Sequence, residues 1–351
     1  MKAVLLAAGL GTRLRPVTNL LAKPAVPFLN TPLLYWSIEL LRSVGLDEAV
    51  VNLHHLPESI LKLRSSIENA GIKLHFSHES EAPLGSGGAL WFAKSSVLEM
   101  LAGAQGMDAE SFLVANADEV ILPVDQLALS RMRTHHEATG ALATLLTMRH
   151  PLVGTKFGGV WVDEKRNVYG FGKDQALYPK AHEGLHYVGV LLLHRRIFDY
   201  LPEGESNLLY DALVRGIQAG ETVNAVCEDL VWHETGNPVD FVEASGHVLE
   251  LLSPSLKPTD AATLARKTVR TWAPSETRYW ESATGEARML ISNLREGSIP
   301  ELDLTKHLEQ QKKKSAFAVV GANALILKPI LNSVALPNSS VTESLTDALI
   351  P

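Results

Sequence analysis

The chain has 351 residues, 46 % of them apolar and 20 % charged, with a formal net charge of −7 and one cysteine. That length suffices for a full hydrophobic core, and at roughly 150 residues per domain it suggests two domains. The single Cys227 excludes an intramolecular disulfide and fits a reducing compartment, while the acidic balance excludes a broad basic nucleic-acid footprint. The apolar run near Met1 is shorter than a signal-peptide core, and no stretch reaches the roughly 20 residues of a membrane span. The expectation is a cytoplasmic protein with neither a membrane nor a nucleic-acid partner.

The first half alternates short β-type runs with amphipathic stretches. Strands are expected at Ala3–Ala7, Glu48–Leu53, Lys73–Ser77, Phe112–Ala115 and Ala141–Met148. Helices are expected at Leu33–Val44, Pro57–Ala70, Gly88–Leu101 and Pro123–Glu137. In the first helix Leu34, Ile38, Leu41 and Val44 recur at three- and four-residue spacing. Strands alternating with helices imply right-handed crossovers and an α/β fold with a mostly parallel sheet.

From Gly158 to Leu193 the pattern becomes β-rich, with runs at Gly158–Val162, Val168–Phe171 and Tyr187–Leu193. Helices return at Arg195–Tyr200 and Asn207–Ala219, and strands near Val223–Val226 and Leu230–His233. Asn237-Pro238 reads as a cap followed by Pro at the first helical position, opening a helix over Val239–Leu252. Ser253-Pro254-Ser255-Leu256-Lys257-Pro258 reads as a linker. The expected division is therefore residues 1–253 and 254–351. In the tail, Lys312-Lys313-Lys314 reads as a solvated turn. Ala324, Ile330 and Leu336 recur every six residues, as do Leu325 and Leu331, a spacing suggestive of a β-helix.

The segment Ala7-Ala8-Gly9-Leu10-Gly11-Thr12-Arg13-Leu14-Arg15-Pro16 follows the first strand directly. Gly9 and Gly11 let backbone N–H groups approach an anion, and Arg13 and Arg15 add forked hydrogen bonds to phosphate. The third glycine of a dinucleotide-binding turn is absent, and so is the Gly-Lys-Ser/Thr of a Walker loop. Histidines form no triad or zinc spacing, and His54-His55 and His135-His136 read as surface or capping pairs. Cys227 has no basic neighbour in sequence and reads as a packing residue.

With Val17-Thr18, Ala22-Lys23-Pro24 and Pro27 added, this opening resembles that of the nucleotidyltransferases that join an NTP to a sugar 1-phosphate. The mannose-1-phosphate guanylyltransferase branch and the hexose- or muramate-phosphate uridylyltransferase branches are the most similar. The resemblance covers about residues 1–252 and continues in Leu84-Gly85-Ser86-Gly87-Gly88, Phe112 to Asp118 and Trp232-His233-Glu234-Thr235-Gly236-Asn237-Pro238. It implies a Rossmann-like sheet of the GT-A kind, with 1–253 as the catalytic domain. It also implies that 254–351 is a small β-rich module similar to a short left-handed β-helix, serving as a lid or for homo-oligomerisation.

The resemblance assigns Leu6, Ala8, Gly9, Gly11, Thr12, Arg13, Gly85 and Asn116 to the nucleotide. It assigns Gly158, Lys173 and Gly189 to the sugar phosphate, and Asp118 and Glu234 to Mg²⁺. Two departures stand out. Glu234 replaces the family's Asp, and Phe171-Gly172-Lys173-Asp174 replaces its Glu-Lys-Pro turn. The implied reaction is in-line attack of the sugar-phosphate oxygen on the α-phosphorus, with Arg13 and Lys23 as the catalytic cations. A phosphate monoester is largely dianionic at pH 7 and needs no general base. The two departures leave a nucleotide-sugar sensor without turnover as a rival; a GT-A-like glycosyltransferase, or a cytidylyltransferase acting on a non-sugar phosphate, is the other.

Overall fold

The computed structural model describes residues 1–79, 81–310 and 316–351; the lysine run at 312–314 lies outside the described residues. The chain divides into two compact units. One comprises Met1–Leu10, Leu40–Ala117 and Pro123–Leu230; the other comprises Gly11–Glu39, Asp118–Leu122 and Val231–Pro351. This division into compact units does not fall at residue 253. The linker stretch lies inside the second unit, because apolar residues on both sides of it share one core.

The first unit is built on a nine-stranded sheet. Its strands are β1 (Lys2–Leu6), β2 (Glu48–Leu53), β3 (Lys73–His78), β4 (Ser111–Asn116), β5 (Ala143–Met148), β6 (Gly159–Val162), β7 (Val168–Gly172), β8 (Glu183–His194) and β9 (Val223–Cys227). β4, β1, β2 and β3 lie side by side and parallel, as the alternating pattern requires. β9 is parallel to β5. The long β8 joins the two parallel groups by running antiparallel to both β4 and β5. Its first residues pair instead with β6, which carries β7 as a hairpin partner.

The sheet is apolar because helices cover it. Leu90, Val97, Met100 and Leu101 pack with Val4, Val50, Phe112 and Val114 in one buried cluster. The helix expected over Pro57–Ala70 is two short ones, Pro57–Leu61 and Arg64–Asn69. The helix expected from Pro123 starts at Ala128, because Val120–Pro123 forms a strand paired with Leu230–His233. His136 is a further correction. It is buried, and its two ring nitrogens meet the hydroxyls of Thr144 at 2.9 Å and Ser111 at 3.1 Å. Cys227 is half-buried, and burial pushes its thiol pKa up, as a packing residue requires.

The second unit gathers Leu14, Val17, Phe28 and Trp36 with Phe241, Val248, Leu290, Phe317, Val334 and Leu336 in one core. Its tail is a set of parallel ladders. Ala287–Ile291, Ala316–Val320, Ser333–Ala335 and Leu349–Ile350 pair in succession, with Arg278–Glu281 antiparallel at one edge. Two more parallel pairs join Leu325–Ile326 to Ser340–Val341 and Ile330–Leu331 to Leu345–Thr346.

Partners repeat at a fixed offset of fifteen residues (318 to 333, 325 to 340, 330 to 345, 334 to 349). Three six-residue sides would give eighteen, so the expected period is corrected. Between these short strands Asn323, Asn332, Asn338 and Asp347 adopt positive φ. Asn and Asp reach that left-handed region at lower cost than other side-chain-bearing residues. Corner residues one turn apart also bond to each other, Asn323 Nδ2 donating to Asn338 Oδ1 at 2.8 Å. No helix among the described residues is long and apolar enough to cross a membrane.

Candidate active site

Within the second unit, Gly11 has φ +60°, and a Cβ there would lie 2.8 Å from Thr18 Cγ2. Its carbonyl accepts from the Thr18 hydroxyl at 2.7 Å and from Leu14 N at 2.9 Å. Thr12–Leu14 follows as one 3₁₀ turn whose buried Leu14 anchors it, leaving Thr12 and Arg13 exposed. After a further 3₁₀ turn at Val17–Asn19, Lys23 starts a third with Pro24 behind it, and its side chain is mostly buried.

Two ion pairs organise these cations. Arg13 Nη1 donates to Glu234 Oε1 at 2.6 Å, and Lys23 Nζ lies 2.9 Å from Asp118 Oδ2. Burial alone would pull the Lys23 pKa down; the carboxylates of Asp118 and Glu119 outweigh it, so the net shift is upward. The Thr235 hydroxyl donates to the Asp118 carbonyl at 2.8 Å, tying the two acid-bearing segments together. Trp232 Nε1 adds a bond to Glu119 at 3.1 Å. Gly236 makes room for the first pair, since a Cβ there would stand 2.8 Å from Arg13 Nη2 and 3.0 Å from Glu234 Oε1. Beyond it, Asn237 Oδ1 caps Asp240 N at 3.0 Å, and Pro238 begins the helix Pro238–Leu251, as the sequence indicates.

The remaining expected residues belong to the first unit. Leu6 ends β1, and its carbonyl accepts from Ala117 N at 3.0 Å. Ala8 is buried and Gly9 exposed. Gly85, at φ +71°, opens the helix Gly85–Phe92, where a Cβ would meet the Ser206 carbonyl oxygen at 2.5 Å. Gly87 and Gly88 donate to that same carbonyl, so their lack of a side chain serves packing on the segment around Gly204 to Leu208.

Asn116 lies beside Gly189, whose φ of +84° sits in the register shift of β8 and whose added Cβ would reach Asn116 Nδ2 at 2.7 Å. Gly158 faces the Tyr210 hydroxyl, with 3.1 Å available to a Cβ. Lys173 stands exposed in the turn after Gly172 and joins none of these groups. Thr235, Gly236, Thr18 and Trp232 were not singled out from sequence. All four stand inside the quoted motifs, but their roles show only in the fold: Thr235 and Trp232 bond to residues distant in the chain, Thr18 closes the Gly11 turn, and Gly236 leaves space for Arg13.

No group of three or more His, Cys, Asp or Glu among the described residues is arranged to hold a metal. Two carboxylates, one on each side of the Thr235 tether, nevertheless match a hard cation. Mg²⁺ takes one or two protein carboxylates and completes its shell with water and substrate phosphate.

The profile of the nucleotidyl transferase family matches residues 2–250. The chain belongs to that family. A UTP–glucose-1-phosphate uridylyltransferase of Synechocystis sp. is 28 % identical over 251 residues, covering 71 % of this chain and 63 % of that protein. A probable mannose-1-phosphate guanylyltransferase 1 of Oryza sativa subsp. japonica is 30 % identical over 270 residues, covering 76 % and 68 %. The chain thus matches the Synechocystis protein over less than two thirds of that protein's own length. The UTP-bound UGPase of Acinetobacter baumannii has the same fold, with a TM-score of 0.59 at 22 % identity over 76 % of this chain and 98 % of that one. The α/β nucleotidyltransferase fold is thereby shown for this family member.

Proposed function

We propose that the chain is a sugar-1-phosphate nucleotidylyltransferase, converting an NTP and a sugar 1-phosphate into an NDP-sugar and pyrophosphate. The observation that carries the proposal is the assembly of Arg13, Lys23, Asp118 and Glu234 into two adjoining ion pairs. The four come from three distant chain segments and stand on the motifs shared with the family.

A sugar-phosphate oxygen forms a bond to the α-phosphorus while the bond to the β-phosphate bridging oxygen breaks, and pyrophosphate departs with that electron pair. The nucleophile is already ionised near pH 7, so the side chains need not remove a proton. Their task is charge. Two unit charges about 4 Å apart repel by roughly 4 kcal/mol at an effective dielectric of 20. Arg13 holds the departing pyrophosphate, and Lys23 binds the α-phosphate oxygens as charge develops there. Both cations are held at rest by the acids they face, which keeps a mostly buried ammonium paired until a phosphate replaces its partner.

Asp118 and Glu234 are the residues that would hold Mg²⁺, which neutralises and orients phosphate oxygens when bound. Leu6, Ala8, Gly9, Gly11, Thr12, Gly85 and Asn116 are assigned to the nucleotide, and Gly158 and Gly189 to the sugar phosphate. Lys173 is kept as a phosphate ligand that the substrate itself must recruit. Mannose 1-phosphate with GTP is the proposed pair, supported by the guanylyltransferase likeness; UTP with glucose 1-phosphate is the alternative, supported by the uridylyltransferase likeness. The one cysteine supports a cytoplasmic setting. The fifteen-residue ladders support a short left-handed β-helix in the tail, with a role in homo-oligomerisation or as a lid.

A matrix of four NTPs against several sugar 1-phosphates, read by Mg²⁺-dependent pyrophosphate release, tests the reaction. Turnover by at least one pair is expected and names base and sugar. Nucleotide binding with no turnover in any pair makes the chain a sensor instead.

A further inference from the structure

The first unit contains a buried polar chain that the proposed reaction does not explain. β1, β2 and β3 are adjacent and parallel, so their C-terminal ends lie side by side, where open α/β sheets place ligands. Ala7, just after β1, donates its backbone N–H to Asn52 Oδ1 at 2.6 Å. Asn52 Nδ2 donates to Glu79 Oε1 at 2.7 Å. Glu79 Oε2 accepts from the backbone N–H of Leu84 at 2.7 Å. Asn52 and Glu79 are 3 % and 2 % exposed, so neither is a surface residue that happens to find a partner. The Glu79 backbone is fixed as well, its N–H bonding Leu53 O at 2.8 Å and its carbonyl meeting His54 Nδ1 at 2.6 Å.

One end of this chain holds the residue that leads into Ala8-Gly9; the other holds the residue that leads into Gly85. We infer that Glu79 and Asn52 are positioning residues that set the spacing between the backbone entering Ala8-Gly9 and the loop opening at Gly85, both assigned to the nucleotide. The inference rests on the nucleotide reading of those two segments. A carboxylate is the side chain the arrangement calls for. Both terminal groups are backbone donors, so the three bonds require three acceptors and one donor from the interior, two more acceptors than donors. Replacing Glu79 by Gln gives two amides between two N–H groups. If both amide oxygens face the backbone, the two NH₂ groups face each other; any other flip points an NH₂ at a backbone N–H. One donor–donor contact is unavoidable. A buried donor left unpaired is costly enough to shift one of the two segments.

The same reasoning supplies a rescue. In the double variant Asn52→Asp with Glu79→Gln the polarity reverses. The introduced carboxylate accepts from Ala7 N and from the NH₂ of the introduced amide. That amide's carbonyl accepts from Leu84 N, so every bond is restored.

The test measures binding of each of the four NTPs by calorimetry, KM for nucleotide and for sugar 1-phosphate, and Tm, on the full chain. Glu79→Gln is expected to weaken NTP binding and raise the nucleotide KM about tenfold, with the sugar-phosphate KM unchanged and the double variant recovering. A lowered Tm with NTP affinity unchanged overturns the inference and makes the chain merely structural. Failure of the double variant to recover NTP affinity overturns it as well. If the unmodified chain turns over no NTP and sugar-phosphate pair, the proposed reaction fails while calorimetry still reads the positioning role. If it binds none of the four NTPs, both fall.

Discussion

Arg13 and Lys23 differ in burial, and their substitutions should differ accordingly. The Arg13 side chain is 69 % exposed and its pair with Glu234 is solvated, so Arg13→Ala should change stability by less than about 1 kcal/mol. Its kcat/KM should nevertheless fall on the order of a hundredfold, since a charge aimed at a leaving polyanion is lost. Lys23→Ala also strands the partly buried Asp118 carboxylate, so it should lower both Tm and kcat/KM. Steady-state pyrophosphate release with parallel melting curves separates the two.

His136 carries a pH prediction at the same scale. Burial, then the charges of His194, Arg196 and His135, lower its pKa from 6.5 to about 4. A base whose folded-state pKa is depressed stabilises the fold fully above its unfolded value, and that stability is lost as pH falls from about 6.5 toward 4. His233 shifts the same way. Urea midpoints at pH 7 and pH 5 should therefore drop for the unmodified chain and drop less for His136→Asn. An equal drop in both would show that His136 is not the group titrating. This histidine was misread from sequence because a His pair near a helix end looks solvated; only the sheet hydroxyls of Ser111 and Thr144 make its burial tolerable.

At the scale of elements, glycines in the motifs separate into those the fold requires and those it leaves open. Gly11 needs positive φ and has no space for a Cβ, so Gly11→Ala should cost about 1–3 kcal/mol. Gly9 has neither constraint, a Cβ there meeting nothing within 4 Å. Gly9→Ala should leave Tm unchanged yet raise the nucleotide KM, if the open space belongs to phosphate. Thermal melts paired with nucleotide titrations check both.

The alternation of strands and helices was legible because each βα repeat is a local pattern of apolar spacing. The antiparallel β8 and the strand Val120–Pro123 were not, because a strand's direction and partner are set by residues far away in the chain. The tail was half legible. Apolar recurrence signalled stacked turns, but the fifteen-residue offset of the pairing and the positive-φ Asn and Asp corners are not registered by a hydrophobic pattern. The site divided in the same way, its charged residues standing in local motifs while Asn52, Glu79 and Thr235 act through bonds to distant segments.

At the scale of the whole molecule, the tail is part of the core that supports the turns carrying Arg13 and Lys23. Asn30 Nδ2 donates to Ser292 Oγ at 3.2 Å and to the Val320 carbonyl at 3.0 Å, and Trp272 Nε1 donates to Glu39 at 3.0 Å. A fragment of residues 1–253 would lack Leu290, Phe317, Val319, Val334 and Leu336 from the cluster that holds Leu14 and Phe28. Each such side chain contributes about 1.5–3 kcal/mol, so their joint loss rivals the net stability of a domain, about 5–15 kcal/mol. The fragment should lack a cooperative melt for that unit and be cut readily within residues 11–39 in limited proteolysis. A fragment that melts cooperatively and resists cleavage there would separate tail from turn.

The second unit is also assembled from three pieces of chain, with Leu40–Ala117 and Pro123–Leu230 folding elsewhere between them. During synthesis, Leu14 and Val17 beside Arg13 and Lys23 gain Phe28, Leu33 and Trp36 as neighbours first, whereas Phe241, Val248, Leu290, Phe317 and Val334 of the same core follow only after Val231. Long-separated contacts of this kind form slowly, because the intervening loops must close before any contact rewards them. The core around the Arg13 and Lys23 turns is therefore complete only late in translation. Nucleotide-binding competence should appear on a ribosome-bound chain only once the stacked turns of the tail have been released, making the tail a timer for the appearance of the site.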